Sequence, residues 1–290
     1  MDNRGLISGE IIVLLILIVL IIGVIANFTE RTSYKITDKI SNENLEKQAS
    51  EFADNLINNP GTPTNWNELK NKNNVIPGLG IINENEATVV NSVDYIKLMA
   101  LKNDYDKLIT KQVFNEDFKS SITITPLTGS VDEIAIGDDN LENPTTVNRL
   151  VICNFLKKYT VGSFEKNSPC NYYHITTHSC NHFKVFTSYL KKMDYYLLFE
   201  KNSYNNYYWS IGSTEIPGIP KLADSDKIYL NDIISQKIIL KNNGVIFVHI
   251  NQENPKAVLV SVPKEFDKSK LNYDYFVSTE CNLKVQIARG

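Results

Sequence analysis

The chain opens with the stretch Arg4-Gly5-Leu6-Ile7-Ser8-Gly9-Glu10, which runs directly into an apolar segment over residues 11–26. That segment carries no charged residue. With residues 6–10 added it would form a helix about 31 Å long, close to the hydrocarbon thickness of a bilayer. A helix that is apolar on every face belongs in a membrane or in the dry interior of an assembly. The stretch therefore predicts a membrane-spanning first helix that carries the rest of the chain.

Glu10 is the one carboxylate beside this apolar segment. A charge at the edge of such a helix costs on the order of 1–3 kcal/mol unless it has a partner. Two interpretations are open. Either Glu10 lies in water at the headgroup boundary, or the chain is cut after Gly5 and the new amino terminus of Leu6 pairs with Glu10 of a neighbouring subunit.

The order of these residues resembles the leader of type IV prepilins, and most closely the archaeal class III signal peptide. In that family a basic residue and a glycine precede the cut, as Arg4 and Gly5 do here, and Ser and Glu stand third and fifth after it, as Ser8 and Glu10 do. Leu6 departs from the family, in which many members carry Gln or Phe. The resemblance implies cleavage between Gly5 and Leu6 by a prepilin peptidase, a role for Ser8 and Glu10 in peptidase recognition or assembly, and display outside the cell.

A second resemblance to archaeal pilin-like surface proteins lies further along the chain. Residues 58–66 read Asn-Asn-Pro-Gly-Thr-Pro-Thr-Asn-Trp, and residues 77–80 read Pro-Gly-Leu-Gly. Beyond about residue 130 no resemblance is evident.

Composition excludes some classes of function. Among 290 residues, 30 are Lys or Arg and 33 are Asp or Glu, which gives a net charge of −3. This balance, with no basic tract, argues against a nucleic-acid partner. The chain contains no P-loop, no His-Glu-x-x-His, no Gly-x-Ser-x-Gly and no dinucleotide fingerprint. We therefore expect a non-enzymatic protein that needs no cofactor.

Periodicity predicts an α+β fold. Apolar residues recur every three or four positions over residues 36–57, which indicates an amphipathic helix that continues the membrane helix and ends near Asn59-Pro60-Gly61. Further helices are predicted at 93–102 and 105–113, and β-branched, alternating stretches predict an antiparallel, strand-rich region afterwards. The resulting divisions are a leader (1–5), a transmembrane and amphipathic helix (6–59), a mixed α/β segment (60–145) and a strand-rich extracellular domain (146–290).

The cysteines and histidines supply the remaining candidate sites. Five of them occupy even-numbered positions in one stretch: Cys170, His174, His178, Cys180 and His182. An extended strand would therefore place them on one face. Two Cys and two His could hold zinc, although the spacing matches no established finger. One alternative is a pair of disulfides, one between Cys170 and Cys180 and one between Cys153 and Cys281, as in many secreted chains. Another is that the thiols are free. The remaining histidine, His249, is expected to be an ordinary sheet residue.

Two overall interpretations follow. The first is a pilin-like surface protein, anchored as a single-pass membrane protein or assembled into a filament through its N-terminal helix. Its extracellular part would serve adhesion, and its partners would be the membrane, a prepilin peptidase and other subunits. Asn27-Phe28-Thr29 would then be a glycosylation candidate outside the membrane. The second is a secreted or membrane-anchored metal- or ligand-binding protein that uses the cluster at 170–182, since residues 24–26 also suit ordinary signal peptidase.

Overall fold

The computed structural model describes residues 16–22, 43–164, 179–238 and 242–290. An N-terminal helix covers residues 16–22, and helix α1 covers residues 43–58. The other α-helices are short: α2 (Tyr95–Asn103), α3 (Thr187–Leu190), α4 (Asn231–Lys237) and α5 (Tyr273–Phe276). A π-helix (Asp106–Lys111) follows α2, and 3-10 turns cover Trp66–Glu68, Lys157–Tyr159 and Lys268–Lys270.

Strands make up most of the fold. They are β1 (Ile81–Ile82), β2 (Thr88–Val89), β3 (Ser92–Asp94), β4 (Phe118–Pro126), β5 (Ile134–Gly137), β6 (Thr145–Asn154), β7 (Thr160–Ser163), β8 (Ser179–Phe186), β9 (Met193–Phe199), β10 (Tyr208–Ser213), β11 (Lys221–Leu222), β12 (Lys227–Tyr229), β13 (Asn243–Ile250), β14 (Ala257–Pro263) and β15 (Thr279–Arg289).

The prediction of a membrane-spanning helix that continues into an amphipathic one over residues 6–59 is wrong. The first described helix, over residues 16–22, is about 10 Å long, and a bilayer core is about 30 Å thick. None of the helices in the described ranges combines the length and the apolar character needed to cross a bilayer. The α+β class with a long first helix is therefore replaced by a mostly β fold. The predicted single-pass membrane localisation is therefore also wrong.

Three sheets and one small ribbon organise the strands. The five-stranded sheet has the order β3-β6-β15-β4-β5, with β3 parallel to β6 and the other pairs antiparallel. The middle sheet has the order β12-β9-β14-β7, the outer sheet has the order β11-β10-β13-β8, and β1 pairs with β2. The predicted boundary near residue 145 falls between β5 and β6, and strands from both sides of it contribute to the five-stranded sheet.

The middle sheet separates two hydrophobic cores. Its side chains alternate along β14, so that Val258 and Val260 face the first core and Ala257 and Leu259 face the second. The same alternation holds in β9. Because both faces are covered, β14 is apolar at nearly every position, as expected of a strand buried on two sides.

The predicted local elements are found with some changes of type. The helix predicted at 93–102 is observed as α2, whose start is capped by Asp94, since its side chain accepts from the backbone N–H groups of Ile96 and Lys97. The segment predicted as a helix at 105–113 forms the π-helix instead. The strands predicted from alternation in the second half all fall within observed strands or overlap them.

Candidate functional site

Helix α1 lies on the inner face of the five-stranded sheet through one apolar stripe. The stripe contains the buried residues Leu45, Ala49, Phe52, Ala53, Leu56 and Ile57. Their spacing of three and four residues is the one the sequence predicts. The opposite side of the helix carries exposed polar residues, among them Asn44, Gln48 and Asn55. The amphipathic part of the prediction for this segment is thus observed, on a helix that begins at residue 43 among the described residues.

Arg149 of β6 fastens the middle of α1 to the sheet. Its Nε donates to Asp54 Oδ1 at 2.7 Å and its Nη2 donates to Asp54 Oδ2 at 2.9 Å and to Ser50 Oγ at 2.6 Å. The hydrogen bond from Arg149 lowers the pKa of Asp54, against the opposing effect of burial. A two-pronged guanidinium–carboxylate pair fixes both distance and orientation. Sequence reasoning missed Arg149, although it shares its strand face with the buried Val147 and Val151, and a charge at such a position needs a partner.

The end of α1 is closed by the two Gly/Pro stretches, residues 58–66 and 77–80. The N–H groups of Leu79 and Gly80 donate to the carbonyls of Leu56 and Asn59 at 2.7 and 2.9 Å. They therefore satisfy carbonyl groups that the helix end leaves free. A methyl group on Gly78 would collide with the carbonyl oxygen of Asn59, so this close approach requires glycine.

Two buried polar side chains complete this junction. Trp66 is fully buried, and its Nε1 donates to the carbonyl of Gly78 at 3.0 Å. Lys97 is also buried, and its Nζ donates to the carbonyls of Pro60 and Gly80 at 2.7 and 3.2 Å. Desolvation lowers the pKa of Lys97, and the nearby carboxylate of Asp94 partly offsets this. The arrangement supports the end of α1.

A groove runs along the side of α1, with a cavity volume of about 570 Å³. One wall is the helix, and the other is the turn that leads from the π-helix into β4. The aromatic rings of Phe52, Phe114 and Phe118 line it in sequence, with ring centroids 5.0 Å apart for the first pair and 5.8 Å apart for the second. Its edges carry carboxamide and carboxylate side chains from both walls. This groove is a ligand-sized cavity beside α1, and no motif in the sequence pointed to it.

Cys153 and Cys281 lie together in the first core, as the predicted pairing requires. They project from the neighbouring strands β6 and β15, and both are buried. Both carry free thiols in this structure, and they share a hydrogen bond. That hydrogen bond and burial raise the pKa of the Cys153 thiol well above its ordinary value. The disulfide between them stays a prediction.

The Cys/His stretch is described only at its end. Cys180 is buried on β8, and His182, two residues further on the same face, is exposed. The register places His249 of β13 directly opposite Cys180, so the histidine that sequence reasoning set aside belongs to the same face of the outer sheet. Within the described ranges, no three His, Cys, Asp or Glu side chains are grouped so as to hold a metal ion.

Several predicted site residues lie outside the described residues. They are Gly5, Leu6, Ser8, Glu10, Asn27, Cys170, His174 and His178. The processing site, the assembly residues, the glycosylation candidate, the Cys170–Cys180 disulfide and the zinc alternative therefore stay predictions. Comparison of the chain with protein-family models, with curated proteins and with solved structures finds no match in any of the three.

Proposed function

We propose that this chain is a non-enzymatic, pilin-like subunit that assembles into a filament through its N-terminal segment and presents its β-rich body along the assembly. The observation that carries the proposal is the exposed apolar surface of the N-terminal helix. All of its side chains, from Ile16 to Ile22, are large and apolar, and they are between 44% and 66% exposed. An apolar surface of this kind calls for a partner surface. Contacts between the same segments of neighbouring subunits would provide one.

The attachment of α1 supports the same proposal. A subunit that assembles through its N-terminal segment must transmit the position of that segment to its body. Helix α1 follows the segment in the chain and is held to the five-stranded sheet by its buried stripe, by Arg149 and by the junction at its end. The leader resemblance adds the processing step, in which a prepilin peptidase cuts after Gly5.

The processing step is tested by the mature N-terminus. Intact-mass measurement or N-terminal sequencing of the protein from its native host should identify Leu6 as the first residue. A mature chain that starts at Asn27 would show cleavage by ordinary signal peptidase and would contradict the proposal.

The assembly step is tested at Glu10. In the assembled state, loss of this carboxylate would leave the neighbouring subunit's amine unpaired in apolar surroundings, which is strongly unfavourable. Glu10→Ala should therefore still be cleaved but should not enter filaments visible by electron microscopy. Glu46→Ala, which alters an exposed position of α1, serves as the matched control and should assemble normally. Normal filaments from Glu10→Ala would refute a pairing role for the carboxylate.

A further inference from the structure

The groove beside α1 has an apolar floor and a polar rim. The floor consists of buried or half-buried groups, chiefly Phe52, Phe114 and Phe118 with Leu56 and Pro77. The rim is formed mainly by exposed side chains that end in planar polar groups, Gln48, Glu51, Asn55, Asn115 and Asp117, with the exposed apolar side chains of Ile76 and Val113 beside them. Its volume of about 570 Å³ falls within the range of about 300–1,000 Å³ that ligand sites occupy.

The wall opposite α1 is held in place by its own backbone. Asn115 and Glu116 both have positive φ values, 50° and 68°, which non-glycine residues adopt only where the surroundings enforce them. The N–H of Glu116 donates to the carbonyl of Thr110 at 2.8 Å, and the N–H of Gly290 donates to the carbonyl of Asp117 at 3.1 Å. The turn is thus tied to the π-helix on one side and to the chain's last residue on the other. Such a pre-formed wall lowers the entropy cost of binding a ligand.

The charges of the groove exclude several ligand classes. None of its described lining residues is Lys, Arg or His. A phosphate, a nucleotide or an acidic sugar would meet the carboxylates of Glu51 and Asp117 with no cation among the lining residues to offset the repulsion, and this is unfavourable. Lys47 does not line the groove, and its exposed ammonium group lies 3.8 Å from Glu51 Oε1.

The same groups suit a neutral ligand with many hydroxyls. Carboxamides donate and accept hydrogen bonds, and carboxylates accept them. This rim can therefore donate to a hydroxyl oxygen and accept from a hydroxyl hydrogen. The aromatic floor offers ring faces that carry partial negative charge, against which the slightly positive C–H face of a pyranose ring can lie. We propose that this groove binds a neutral carbohydrate, of the size of one or two pyranose units. The proposal is independent of filament assembly, because it rests on the groove alone.

The test uses the purified full-length chain in a detergent that has no sugar headgroup. Neutral disaccharides (maltose, cellobiose, lactose and chitobiose) are compared with digalacturonic acid by saturation-transfer NMR, and the best ligand is then titrated by calorimetry. Asn55→Ala and Asn115→Gly each remove one rim carboxamide. The first leaves a good helix former in α1, and the second keeps a residue that accepts positive φ. Each should weaken binding at least tenfold.

Asn44→Ala is the matched control, because Asn44 is exposed on the same helix but does not line the groove. It should bind the sugar as the unmodified chain does. Three results would overturn the proposal: no binding of any neutral sugar, a preference for the acidic disaccharide, or equal affinity in both rim variants and the control. Saturation transfer to a lysine-containing apolar peptide, and to none of the sugars, would overturn the proposal in favour of a peptide site. If the unmodified chain forms filaments but binds none of the neutral sugars, the carbohydrate proposal fails and the assembly proposal is unaffected.

Discussion

Replacement of Leu56 by alanine tests whether α1 is truly part of the body's core. Leu56 is 2% exposed and belongs to the buried stripe of the helix. The substitution removes three carbons at about 0.8 kcal/mol each, or about 2.4 kcal/mol of transfer free energy. The cavity left behind adds to this, so a total of about 3–4 kcal/mol is expected, within the range found for buried leucines. Asn55→Ala, at the exposed neighbouring position, should change stability by less than about 0.5 kcal/mol.

The assay is equilibrium unfolding in urea, followed by circular dichroism and by tryptophan fluorescence. Trp66 is fully buried beside the junction at the end of α1, so its emission reports on this region. With a slope of about 2–3 kcal/mol per molar urea, the midpoint of Leu56→Ala should fall by about 1–2 M. A fall of less than about 0.3 M would mean that α1 contributes little to the core, and the support it gives to the proposed function would be lost. Equally small shifts in Asn55→Ala and Leu56→Ala would likewise mean that α1 contributes little to the core.

Three further predictions concern contacts elsewhere on the body. Because Arg149 lowers the pKa of Asp54, their pair stabilises the fold above the unfolded pKa of about 3.9 and loses this effect as the pH falls through the lower folded value. Since both partners are partly exposed, Arg149→Met should cost about 1 kcal/mol near pH 7 and less at pH 2 in urea unfolding, and an equal cost at both pH values would contradict the ion pair. Gly78→Ala should cost about 1–3 kcal/mol through collision with the Asn59 carbonyl, whereas the exposed Thr64→Ala should not change the midpoint. Cys153 and Cys281, if bridged, should yield no thiol in denaturant until reductant is added, and reduction should lower the melting temperature while a chelator has no effect. Four free thiols with one bound metal per chain would contradict this.

Local patterns were predictable from the sequence where one side of an element is buried. The stripe of α1 from Leu45 to Ile57 and the alternation of β4 and β15 each follow from a single periodicity. What periodicity cannot supply is the choice of partner strands. β15 pairs with β4 on one side and with β6 on the other, and all three alternate in the same way, so their faces are predicted but their order in the sheet is not.

The errors at the N-terminus have a different origin. The apolar segment and the amphipathic periodicity after it together predicted one long first helix, whereas the described helices there cover residues 16–22 and 43–58. Hydropathy measures what a segment avoids, namely water, and it does not measure how far the segment remains helical.

The functional residues that were missed share one property: their role depends on the residues opposite them. His249 is an ordinary strand residue in the sequence and becomes part of the Cys/His face only because β13 pairs with β8 in one register. The groove arises in the same way. Asn55 and Asn115 are 60 residues apart in the numbering, and both line the groove only because α1 lies beside the turn that follows the π-helix. Polar residues on exposed turns and helix faces are common, so neither asparagine was distinctive by itself. The proposed carbohydrate site is therefore a property of the packing of α1. The contacts that hold α1 to the sheet, led by Arg149 and the junction at residues 77–80, would position both the N-terminal segment and one wall of the groove.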